Sequence, residues 1–186
     1  AAVAARIAKL INRREANGQK TVLSLASGRS MRDLFVELVR LHKEEGLSFK
    51  NVVVFGSYEF YPLADASLGS MGQIKSQLLD HIDILPENVH TFPGDLPKET
   101  VFTFCEEYEK AIEAAGGIDI QVLGIGQCGN IAMNEPGTQP NSSTRLVIMD
   151  GNSRVDAKSL FGNIAQVPTC AITLGIETIL KAKDVI

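Results

Sequence analysis

Long apolar runs are missing from this chain: no stretch approaches the roughly 20 residues needed to cross a bilayer, so no membrane-spanning helix is expected. An excess of basic residues is missing too. A formal net charge of −4 provides no broad positive field for nucleic acid or an anionic membrane surface, and leaves open only a local basic pocket for a small anion. Cysteine is sparse. Cys105, Cys128 and Cys170 are scattered and odd in number, which argues against a disulfide framework or a zinc site and favours a reducing, cytoplasmic setting. The histidines, His42, His81 and His90, form no metal constellation. The chain also lacks an initiating methionine, internal repeats and signal-peptide organisation, and its closing AKDVI stops where a strand begins. Residues 1–186 are therefore expected to be a single domain without its terminal segments.

A chain of 186 residues with 45% hydrophobic content can bury a substantial core. Val3, Ile7, Leu10 and Ile11 recur at helical spacing before Gly18, and Leu34, Leu38 and Leu41 form a second helical face that closes near Gly46. The runs TVLSLA (21–26), NVVVFG (51–56) and IDIQVLGIG (118–126) read as buried strands, with weaker strands at VHTF (89–92), TRLVIM (144–149) and VPTCAITLG (167–175). Further helices are expected around 74–82, 98–115 and 176–182. Strands alternating with helices imply βαβ units and an α/β fold with a mainly parallel sheet flanked by helices. Ligands of such sheets bind outside the carboxyl ends of the strands. The loops ASGRS, GSYEF and GQCGN follow strands there and are expected to converge.

Two of these loops carry candidate chemistry. Ser27, Gly28, Arg29 and Ser30 combine hydroxyls, a charge and the backbone N–H groups of a helix start, which suits phosphate, although an ordinary turn with a serine cap reads equally well. It is not a P-loop, because the Gly-Lys-Ser/Thr ending is absent. In GIGQCGNIAMNEPGT, Gly124, Gly126 and Gly129 permit close backbone approach, and the Asn134–Gly137 turn can aim Glu135 into a strand-end pocket or leave it solvated.

Several long segments in order, among them LASGRSMRDLFVELVRLHKEEGLSFKNVVVF, YEKAIEAAGGIDIQVLGIG, IAMNEPGT and VPTCAITLGIETILKAKDV, resemble the glucosamine-6-phosphate deaminase (isomerase) family. The related 6-phosphogluconolactonases share the architecture, but the Asn-Glu-Pro-Gly turn is similar to the deaminase branch. The resemblance implies a Rossmann-like, three-layer domain, commonly a homo-oligomer, that binds a small sugar phosphate and needs no organic cofactor. It also implies conversion of an amino-sugar phosphate to a ketose phosphate and ammonia.

At the positions matching the family's reactive groups, this sequence departs. Tyr58 stands where the family carries an aspartate base, Cys128 where it carries a second aspartate, and Asn130 where it carries the ring-opening histidine; Glu135, which supports that histidine in the family, is kept. A phenol ionising near 10 is a poor base at neutrality, and an amide moves no proton. The family's deaminase chemistry is therefore expected to be impaired, with Glu135, Asp65 or Cys128 as the available substitutes; Glu59, next to Tyr58 in extended chain, faces the opposite side. The phosphate contacts fall on Ser27, Gly28, Arg29, Ser30, Gly126 and Lys158, the last beside Ser159 at the family's arginine position. Arg145 matches one member of an allosteric phosphate segment, but Val147 stands at its lysine, so Arg145 reads better as a surface residue at a strand start. The alternative is a non-catalytic structural or regulatory relative.

Overall fold

The computed structural model describes residues 2–186. In chain order the elements are α1 (Ala2–Glu15), β1 (Thr21–Leu25), α2 (Arg32–Glu45), β2 (Val52–Gly56), β3 (Tyr58–Tyr61), α3 (Ser70–Gln77), β4 (Val89–His90), α4 (Val101–Ala114), β5 (Ile120–Val122), β6 (Arg145–Ile148), α5 (Gly151–Phe161), β7 (Cys170–Thr173) and α6 (Ile176–Leu180). The strands β4-β2-β1-β5 form a parallel sheet in that order, flanked by helices. β1 runs outward on one side to β2 and on the other to β5, so the order reverses between β1 and β5, the place where such sheets bind ligands.

Alternation along the strands makes the layers. Leu23, Leu25, Val52 and Val54 share one core with Ile7 and Ile11 of α1, Leu34, Phe35 and Leu38 of α2, and Ile74 of α3. Their neighbours Val22, Val53 and Phe55 point the other way, into a second core with Val101, Tyr108 and Ile112 of α4 and Ile179 of α6. Successive strand side chains face opposite sides, so strands buried on both faces read as continuous apolar runs. Each large side chain so buried contributes about 1.5–3 kcal/mol. Gly46 ends α2 in the left-handed region, with φ of 72°.

A second, antiparallel sheet, β3-β7-β6, was not expected. The chain leaves the parallel sheet at Ser57, whose N–H donates to Leu25 O at 3.0 Å while its carbonyl accepts from Leu174 N at 2.9 Å. GSYEF is therefore largely strand, not loop. Its partner is remote, since Tyr58 pairs with Thr173 and Tyr61 with Cys170, and local sequence carries no sign of that pairing. Two helices also differ from expectation. α3 begins at Ser70 and ends at Gln77, followed by a short 3-10 turn at Leu79–His81. α5 was not anticipated at all; the Asp150 side chain caps it by accepting from Asn152 N at 2.8 Å, and Ala157 and Phe161 join a third core with Phe60, Met133 and Ala171. No described helix is long and apolar enough to cross a membrane.

Candidate functional site

A cleft of about 230 Å³ opens where the loops after β1 and β5 meet β3 and α5. Of the residues singled out from sequence, Ser27, Gly28, Ser30, Tyr58, Gly124, Gly126 and Asn130 line it. The close approach has a local cause: a Cβ on Gly124 would stand 3.1 Å from Ser30 Oγ, so glycine lets the β5 loop lie against the β1 loop. The rest of the glycine loop is tied down by its own polar groups. Gly126 N–H donates to Asn130 O at 2.8 Å, and Asn134 Nδ2 donates to Ile131 O at 3.1 Å and to Leu174 O at 2.8 Å. Asn134 of the Asn-Glu-Pro-Gly turn thus anchors the loop to the end of β7.

Tyr58, Asn130 and Glu135 are each engaged with protein partners. Tyr58 Oη lies 2.9 Å from Ser27 Oγ, so the phenol reaches across to the hydroxyl expected to meet phosphate. Burial pushes that phenol above its ordinary value, with the Ser27 hydroxyl opposing the rise. Asn130 Nδ2 donates to Ala132 O at 3.1 Å and its amide lies over Gly126. Glu135 does not engage Asn130. Its Oε1 accepts from Ser153 Oγ at 2.6 Å and from Asp150 N at 3.3 Å, bracing the start of α5, while Oε2 is buried without a partner.

Other candidates fall outside the cleft wall. Arg29 and Lys158 are exposed and do not line it, Cys128 sits half-buried in the glycine loop, and Arg145, at the start of β6, does not line it either. Asp65 caps a 3-10 turn, accepting from Ser67 Oγ at 2.6 Å and Ser67 N at 3.0 Å; these bonds hold its carboxyl below the usual range and leave it no role in the cleft. Glu59 points away from the cleft as strand alternation requires. It is 3% exposed and accepts from the N–H groups of Phe60, Ser70 and Met71 at 2.9, 2.8 and 3.0 Å. Sequence reading missed Ser153 and Asp156, which reach the cleft from successive turns of α5. The signal available was their i, i+3 spacing, hidden because Asp150-Gly151-Asn152 reads as a turn. Among the described residues no lysine, arginine or histidine lines the cleft, and Asp156 supplies its one carboxylate.

The chain thus combines an α/β fold with a hydroxyl- and amide-lined cleft at the reversal point of its parallel sheet, the place where sheets of this class bind ligands. The family described as glucosamine-6-phosphate isomerases/6-phosphogluconolactonase matches residues 1–186, and the chain belongs to it. A glucosamine-6-phosphate deaminase-like protein of Bacteroides thetaiotaomicron is 49% identical over 98% of this chain, which spans 28% of that protein's length. A glucosamine-6-phosphate deaminase of Bacillus pumilus is 41% identical over 96% of the chain and 74% of its own length. Among solved structures, a monomeric glucosamine-6-phosphate deaminase superposes with a TM-score of 0.89 at 34% identity, covering 98% of this chain and 74% of that one. The 6-phosphogluconolactonase of Thermotoga maritima, at 20% identity and a TM-score of 0.66 over 95% of this chain and 74% of its own, shares the fold.

Proposed function

We propose that residues 1–186 act as one deaminase-like domain that binds a sugar phosphate in the strand-end cleft, with the family's proton-transfer chemistry impaired. The observation that carries this reading is the cleft wall: it keeps hydroxyls and glycines at the loops after β1 and β5, yet presents Tyr58 and Asn130 where the resemblance places a base and a histidine. Deaminase chemistry needs a group ionised near neutrality to move a proton between carbons. A phenol whose ionisation is made harder by burial does not supply one, and an amide already donating to Ala132 O cannot. Each positioned acid or base contributes about 10²- to 10⁴-fold in rate, so losing two removes at least about 10⁴-fold. Phosphate would be met by Ser27, Ser30 and the N–H groups of the turn before α2. With no cation in the wall, affinity rests on neutral donors and is weak. A reducing, cytoplasmic setting belongs to the same proposal, supported by three free cysteines.

A second reading, a structural relative that binds no sugar, draws on the Tyr58–Ser27 contact, which occupies the hydroxyl at the cleft floor. One pair of measurements separates the readings: ammonia release from glucosamine 6-phosphate, and calorimetry with the same compound. The expected result is turnover at least about 10⁴-fold below an active family member, together with weak saturable heat. Turnover within a few fold of such a member overturns the impairment, and absence of heat leaves the structural reading.

A further inference from the structure

At the opposite edge of the parallel sheet from the strand-end cleft, a cavity of about 440 Å³ lies between α1 and the C-terminal residues. Its walls hold five cations, Arg6, Lys9, Arg13, Arg14 and Lys183, and two carboxylates, Asp119 and Asp184. Both carboxylates are spoken for. Asp119, 3% exposed, accepts from Val22 N at 2.9 Å, from Lys183 Nζ at 2.7 Å and from the Arg14 guanidinium. Asp184 takes Arg6 at 2.6 Å. Lys9 and Arg13 have no acidic partner among the described residues, although the chain as a whole is acidic, with a net charge of −4.

Arg6, Lys9 and Arg13 recur at i, i+3 and i+7 on α1, so they stand on one stripe along the cavity. At 1.5 Å per residue the stripe runs roughly 10 Å. Basic residues in a last helical turn also offset the helix dipole, which accounts for Arg13 and Arg14 but not for Lys9, for Arg6 a further turn back, or for the cavity beside them. A concave wall with a surplus of cations concentrates field on whatever anion enters, and guanidinium groups match phosphate oxygens through paired N–H donors.

We propose that this cavity is a binding site for a polyphosphorylated small molecule, separate from the strand-end cleft and independent of its function. The stripe is long enough to engage more than one phosphoryl group, so affinity rises with the number of linked phosphates. The test is calorimetry of the intact chain with inorganic tripolyphosphate and with orthophosphate at low salt, repeated with ATP. Tripolyphosphate is expected to bind at least 10-fold more tightly than orthophosphate, with amide shifts confined to α1 and to residues around 119–120 and 183–186. Binding is expected to weaken at least 10-fold in the Lys9→Ala/Arg13→Ala variant. Both side chains are exposed, so this variant should keep the parent thermal midpoint. ATP binding like tripolyphosphate supports recognition of the phosphate chain alone; tighter ATP binding, lost in the same variant, assigns the site to nucleotides. No heat with any probe, unchanged affinity in the double variant, or loss of binding in Ser27→Ala instead overturns the proposal.

Discussion

Tyr58 decides most of what the cleft can do, because one side chain both replaces a base and engages the neighbouring loop. Its hydrogen bond to Ser27 is 2.9 Å long and half-buried, and such a bond contributes about 0.5–1.5 kcal/mol. Tyr58→Phe is expected to lower stability by about 1 kcal/mol while freeing the Ser27 hydroxyl. Thermal denaturation reads the first effect. Calorimetry with glucosamine 6-phosphate should show tighter binding, and weaker binding would mean that the phenol helps hold the sugar. Restoring chemistry demands more than one exchange. An imidazole at position 130 needs the carboxylate of Glu135, which now holds Ser153 Oγ at 2.6 Å. Tyr58→Asp, Cys128→Asp and Asn130→His together, with Ser153→Ala to release Glu135, are expected to raise ammonia release at least about 10²-fold over the parent. The triple change without Ser153→Ala should give less.

The junction of β3 and α3 is held by Glu59, whose carboxylate receives the first N–H groups of the helix at Ser70 and Met71. Gly69 makes room for it, since a Cβ there would stand 2.5 Å from Glu59 Oε1. Burial raises the Glu59 carboxyl above its ordinary range, with the backbone N–H groups of Met71, Ser70 and Phe60 pulling the other way. The sign follows from proton counting. The folded state holds this proton more tightly than the unfolded state, so the contribution of Glu59 is full below about pH 4.3 and is lost as pH rises through the folded-state value. Relative to Glu59→Gln, which does not titrate, the parent should gain stability as pH falls from 7 toward 4.3; urea midpoints of the pair measure it, and a constant difference would contradict the assignment. These elements also show what local sequence encodes. β1, β2 and β5 were legible because strands buried on both sides are continuous apolar runs, and Ser27, Gly28, Ser30, Gly124, Gly126 and Asn130 of the cleft wall all lie in the loops after β1 and β5. β3 was not legible, because Tyr58–Tyr61 becomes a strand through β7, more than a hundred residues away. α5 was hidden by its Asp-Gly-Asn start and is held by the third core, so Ser153 and Asp156 went unseen. Arg29 and Lys158 lie on segments that border the cleft, yet both are exposed and neither lines it, which spacing alone does not reveal.

Across the whole molecule, the two edges of the parallel sheet carry different work: the carboxyl edge gathers the cleft, and the amino edge closes the fold around Asp119. That carboxylate joins α1 through Arg14, β1 through Val22 N–H, and the C-terminal residues through Lys183. The last residues also pair with β5, Gln121 N donating to Asp184 O and Ile186 N to Gln121 O, each at 2.9 Å. Asp119→Asn keeps the volume and one acceptor for Val22 N–H but leaves Arg14, 22% exposed, without its counter-charge. Breaking a buried ion pair from one side costs about 3–5 kcal/mol. Lys183 is 55% exposed and largely screened by water, so its share is small and the total should fall near the low end, about 3 kcal/mol. Urea denaturation should therefore show a lower midpoint with an unchanged slope, since the surface exposed on unfolding stays the same. Hydrogen exchange at Leu123 and Ile186, whose amides close the C-terminal pairing, should quicken before the rest of the sheet. Glucosamine 6-phosphate binding measured well below the new midpoint should not change, because the strand-end cleft is built from the other edge. A midpoint equal to the parent's would mean that solvent, rather than Asp119, neutralises Arg14.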